Sequence, residues 1–92
     1  MNITLETGQR RTVGKTERTW TAHIEGVGFL YGRNCTTRRN AVLSAAVAAL
    51  STTPPGAVIE VRRPACDDSE EPELHAKVLE LCAARSVTWF DA

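Results

Sequence analysis

The apolar residues of this chain change their period once, near residue 35, and that change dictates the fold class. Before it, apolar and polar residues alternate. Ile3 and Leu5 stand against Thr4 and Glu6; Trp20, Ala22 and Ile24 stand against Thr21 and His23; Val27, Phe29 and Tyr31 follow. A period of two marks strands with one buried face. After it, Val42, Leu43, Ala46, Val47 and Leu50 recur at helical spacing in an alanine-rich run. Thr36-Thr37 offers an N-cap, and Thr53-Pro54-Pro55-Gly56 a firm stop. All of this falls within 92 residues, which suffice for one domain with a modest core.

The alternation predicts strands over residues 2–7, 19–25 and 27–33, with a polar, basic loop over 8–18 between the first two. After the helix come a strand over 57–62, an acidic loop over 64–72, a helix over 73–84 and a last strand over 86–90. Leu74, Val78, Leu81 and Cys82 face inward from the second helix. Glu70, Glu71 and Glu73 sit at its start, where the dipole favours negative charge, and Arg85 sits at its end. The order β-β-β-α-β-α-β implies an α/β fold with a mixed five-stranded sheet. Its first three strands are antiparallel, and two strand–helix–strand units give right-handed parallel crossovers. One face collects Ile3, Leu5, Trp20, Ala22, Ile24, Phe29, Tyr31, Ile59, Val61, Val87 and Trp89. The other is polar, with Leu30, Val58 and Phe90 as apolar exceptions. A sheet covered on both faces lacks such alternation, so both helices are expected on one face.

Charge is balanced overall but divided along the chain. Residues 1–63 carry nine Lys/Arg and four Asp/Glu, a balance of +5; residues 64–92 carry two and seven, a balance of −5. Such a split marks either a basic partner surface or two differently charged solvated faces. Cys35, Cys66 and Cys82 are widely spaced and suggest reduced thiols, with neither a disulfide framework nor a metal site. No apolar run reaches the roughly 20 residues of a membrane span, and the start lacks a signal pattern. Membrane insertion is not expected, and a cytoplasmic location is. Val13-Gly14-Lys15-Thr16 lacks the spacing and the strand–helix context of a phosphate-binding loop. His23 and His75 have no nucleophile or acid indicated beside them and read as surface or structural residues.

The stretch from Gly32 to Leu50, GRNCTTRRNAVLSAAVAAL, resembles the third strand and first helix of type-1 ribonuclease H, where the family has a Thr-Asn-Asn-x-x-Glu-Leu-x-Ala-x-x-x-Ala-Leu pattern. Ala57 to Val61 resembles its fourth strand and Val87 to Asp91 its fifth. The resemblance implies a ribonuclease H-like fold over residues 1–92. It also implies a set of carboxylates that hold two divalent metals, which activate water and stabilise the leaving oxygen. This chain departs from that set. The family's Asp-Gly falls on Thr7-Gly8, with Glu6 one residue early and on the opposite face. The helix Glu position is Val42. The Asp-Ser position falls on Arg63-Pro64, where a cation repels a metal. The last acid lies past the fifth strand, where only Asp91 is near. The polar face matches the absence of the family's closing helix and suggests a two-layer form.

The expectation is therefore a non-catalytic interaction module, not an enzyme, without cofactors. Its first-ranked partner is another protein, or a second copy through an edge strand. The Ala/Thr/Arg-rich composition looks like that of a high-GC genome, and the compact solitary domain resembles small bacteriophage gene products, which implies a host-directed inhibitor with a host protein as partner. The alternative is a nucleic-acid-binding pseudo-nuclease. Arg33, Arg38, Arg39, Arg62 and Arg63 fall near strand ends and the first helix start and form the candidate binding set. Arg10, Arg11, Lys15 and Arg18 add a basic loop able to track phosphates. The absence of an evident pair of stacking aromatics on the open face counts against single-strand binding.

Overall fold

The computed structural model describes residues 1–35, 37–54, 58–64 and 71–91, with the backbone alone at residues 12, 34, 35 and 91. The elements are β1 (Asn2–Thr12), β2 (Lys15–Ile24), β3 (Gly28–Cys35), α1 (Arg38–Thr52), β4 (Val58–Arg63), α2 (Pro72–Ala83) and β5 (Ser86–Asp91). They form an α/β fold with one mixed sheet in the order β3-β2-β1-β4-β5. β1 pairs antiparallel with β2, and β2 with β3; β4 pairs parallel with both β1 and β5. The expected element order and strand directions are present.

Two expectations fail. The basic segment over 8–18 is not a loop. β1 and β2 continue through it in unbroken register, from Ile3 opposite Ile24 to Thr12 opposite Lys15. Gly14, at φ 76, takes the left-handed conformation that lets a two-residue turn, Val13-Gly14, close the hairpin. Threonine and the long side chains of Arg and Gln sit comfortably on a two-sided polar ribbon, so hydrophobic alternation is not needed for it to form.

The second failure is the face of β3. Phe29 and Tyr31 point away from the helices, and Leu30 points toward the core. Antiparallel pairing with β2 fixes this: Leu30 lies opposite buried Ala22, and Phe29 opposite exposed His23. The turn over 25–27 sets a register one residue away from the expected one, and a one-residue slip reverses every side chain.

Both helices cover the same face. α1 buries Val42, Leu43, Ala45, Ala46, Ala49 and Leu50 against Ile3, Leu5, Ala22, Ile24, Ile59 and Val61. Its alanines let the helix axis approach the sheet closely. The Thr37 hydroxyl caps α1 by accepting from the Asn40 amide at 3.0 Å; Thr36 lies outside the described residues. α2 is more peripheral. Val78 is buried, while Leu74, Leu81 and Cys82 are half-buried against the core. Glu71 precedes it in the left-handed region, φ 64, and Glu73 occupies the first turn; Glu70 is not described. Arg85, just past α2, donates to the Thr53 carbonyl at 3.4 Å and ties the two helix ends together.

Candidate functional site

The most distinctive charged feature is the outer half of the β1–β2 hairpin. β4 pairs with β1 only over Asn2–Thr4, and β3 reaches down β2 only to Arg18. Among the described residues, 9–17 therefore form a two-stranded arm with no third strand, consistent with the molecule's longest extent of 44 Å. Arg10, Arg11 and Lys15 are exposed on it, and Arg18 is half-buried at its root. The one acid among them is Glu17, opposite Arg10. Pairing assigns Arg11 and Arg18 to the helix side of the ribbon, along with Thr7, Gln9 and Thr16. Among the described residues of the ribbon, no acid lies on that side. At the root, Arg38 from the first turn of α1 joins Thr7, Gly8, Gln9 and Arg18 around one depression. Three guanidinium groups thus follow one side of the arm down to the helix start.

The five arginines expected to form one binding set do not share a surface. Arg38 is exposed at the arm root, and Arg33 and Arg62 are exposed on the sheet face away from the helices. Arg39 is 4% exposed, under the helix layer, and its guanidinium donates to His75 Nδ1. Arg63 is half-buried, with its guanidinium 5.2 Å from the Trp89 ring centroid, a cation–π contact. Arg39, Arg63 and His75 line a cavity of about 200 Å³ between α1, α2 and β5, together with Leu43, Val78, Leu79 and Trp89. The cluster therefore divides into an internal pair and an external group.

The positions that the sequence resemblance sets against the ribonuclease H carboxylates also separate. Thr7 lines the arm-root depression, Arg63 lines the internal cavity, and Val42 is fully buried in the core. Among the described residues, no three His, Cys, Asp or Glu side chains come together as a metal site would require. Asp91 is described by its backbone alone, opposite Arg63 at the end of β5. Val13-Gly14-Lys15-Thr16 is the hairpin tip, with no helix after it. Cys82 accepts from Trp89 Nε1 at 3.3 Å. Burial pushes its thiol pKa up, partly opposed by that bond and by the Arg85 charge. Cys66 lies outside the described residues. No helix among them is long and apolar enough to cross a membrane.

Sequence reading missed the open-face aromatics. A single cross-strand row runs Phe29, His23, Thr4, Arg62 and Phe90 across β3, β2, β1, β4 and β5. The His23 and Phe29 rings stack at 4.4 Å and 12°. The available signal was the alternation of Gly28, Leu30 and Gly32, which leaves one large apolar residue between two glycines on the helix side.

No protein-family model matches the chain, and no curated protein matches its sequence. Among solved structures, the chain is similar to RNase H1 from the halophilic archaeon Halobacterium salinarum NRC-1. That likeness has a TM-score of 0.52 and 19% identity, and covers 98% of this chain and 84% of the archaeal one. The five-stranded mixed sheet with two helices on one face is a ribonuclease H-like fold.

Proposed function

We propose that this chain is a non-catalytic binding module on a ribonuclease H-like fold, and that its ligand is the phosphate backbone of a nucleic acid lying along the β1–β2 arm. The observation that carries this is the arm itself: a two-stranded ribbon whose helix side presents Arg11, Arg18 and, at its root, Arg38, without an acid. Such a ribbon buries little apolar surface, so its sequence is not accounted for by folding. Closely spaced cations release condensed counterions when they meet phosphates, which drives binding. The absence of catalysis is supported by Thr7, Val42 and Arg63 at the carboxylate positions. A cytosolic setting, in which thiols stay reduced, suits such a module.

The test is fluorescence anisotropy with labelled single-stranded, duplex and RNA–DNA hybrid oligonucleotides, with and without magnesium or manganese. Binding without cleavage is expected, and Arg11→Glu with Lys15→Glu weakens it. Metal-dependent cleavage of the hybrid overturns the non-catalytic part; binding unchanged in the double variant overturns the role of the arm.

A second reading, association with a protein or a second copy, is favoured by one observation. β3 is an edge strand, so one side of its backbone lacks a strand neighbour. Sedimentation of the purified chain separates the self-association form: a dimer that dissociates on Leu30→Pro supports it, and a monomer at all concentrations removes it.

A further inference from the structure

Phe29 and Tyr31 are successive outward positions of β3, on the face away from the helices, and Arg33, at the irregularity where the β2–β3 register shifts, shares a depression with Tyr31. Phe29 and Tyr31 are 69% and 85% exposed. Rings left this open contribute little to the core, and a ring in water forgoes the free energy that burial gives. Phe29 already takes a flat partner, the His23 imidazole. Tyr31 shares a depression with Arg10, Thr19, Trp20, Thr21, Gly32 and Arg33, so two arginines line the same depression as the exposed phenol.

We propose that the β3 side of this face is a stacking track for single-stranded nucleic acid, with bases on Phe29 and Tyr31 and phosphates at Arg33 and Arg10. The proposal rests on the reading of the arm as a nucleic-acid contact and adds the class of strand. Stacking rings interleaved with cations bind single strands with little sequence preference, because every base has a flat face. A duplex keeps its bases stacked inside and offers the rings nothing. The composition of the face argues against a protein occupant. Along the row from Phe29 to Phe90 the rings are separated by Thr4 and Arg62, with Glu6 and Glu60 in adjacent rows. Protein interface cores are depleted of charge. The acids Glu6 and Glu60 lie on β1 and β4, so the cationic track stays along β3 and meets the outward side of the arm at Arg10, where Glu17 is its cross-strand neighbour.

The experiment is anisotropy with a labelled mixed-sequence single strand and its duplex, for the native chain, Phe29→Ala, Tyr31→Ala and Tyr31→Phe. Thermal melts check that each variant folds. The native chain binds the single strand more tightly than the duplex. Each alanine variant loses about tenfold on the single strand and nothing on the duplex, while Tyr31→Phe keeps binding because the ring remains. Equal binding of both strand forms, unmoved by the ring substitutions, overturns the track and leaves the arm standing. No binding to either form overturns both. A stable dimer dissociated by Tyr31→Ala makes the face an interface between copies and overturns the track.

Discussion

At Gly32 the strand has no room for a side chain. The residue lies opposite Trp20 in the β2–β3 ladder, and an added Cβ would run into the indole ring. Overpacking of this kind costs roughly 1–3 kcal/mol, so Gly32→Ala is expected to lower the denaturation midpoint measured by urea titration; an unchanged midpoint contradicts the packing described. Cys82 gives a second test. Burial raises its thiol pKa, so as pH rises the unfolded thiol ionises first and the folded state holds its proton longer. This group therefore leaves stability untouched below the ordinary thiol range and lowers it as pH rises through that range. In a Cys35→Ser, Cys66→Ser background, iodoacetamide should alkylate Cys82 more slowly than a free cysteine peptide at mildly alkaline pH; an equal rate contradicts the raised pKa. The residues that the resemblance sets against the family's carboxylates were readable in the sequence, but the side each arginine faces was not. Arg39 lies three and four residues before Val42 and Leu43, which places it on the buried stripe of α1. Its charge alone suggests a surface position, and helical periodicity overrules that.

Among the elements, the helices and the central strands were the most legible, because their apolar periodicity is what the core demands. β3 and the arm were the least. β3 carries apolar residues at both parities, Phe29 and Tyr31 against Leu30, so its face is decided by pairing with β2 and not by its own pattern. The arm has no buried face, so it leaves no hydrophobic signature. It is held by its ladder and by Gly14 at the turn. The α1 cap is a local contribution that can be removed cleanly: Thr37→Ala deletes the acceptor for the Asn40 amide and should cost about 1 kcal/mol in thermal or chemical melts. The arm should behave in the opposite way. Arg11→Glu with Lys15→Glu alters exposed residues and is expected to stay within about 0.5 kcal/mol of the native stability, while weakening nucleic-acid binding. A large loss of stability in that variant would mean that the arm packs on something it does not touch in this structure.

At the scale of the whole molecule, one layer of helices covers one face of one sheet, and the core is correspondingly thin. Leu50 is fully buried among α1 and the central strands, and Leu50→Ala is expected to cost roughly 2–5 kcal/mol. Against the roughly 5–15 kcal/mol available to a domain of this kind, that should bring the chain close to unfolding at physiological temperature, as circular dichroism would show. The division of charge belongs to this scale as well. The positive part of the chain supplies the arm, the root of α1 and the outward β3 positions, so cations gather in two groups, Arg11, Arg18 and Arg38 on the helix side and Arg10 and Arg33 on the outward face, although the net charge is zero. On the function proposed above, the ribonuclease H-like scaffold serves as a platform for holding nucleic acid. The most direct test is the salt dependence of single-strand binding by anisotropy between about 50 and 200 mM. Engagement of Arg11, Arg18 and Arg38 along the helix side of the arm predicts a slope of log K against log salt of about −2, reduced by about 0.7 for each of them neutralised. No binding at the low end, or a slope near zero, would contradict the account.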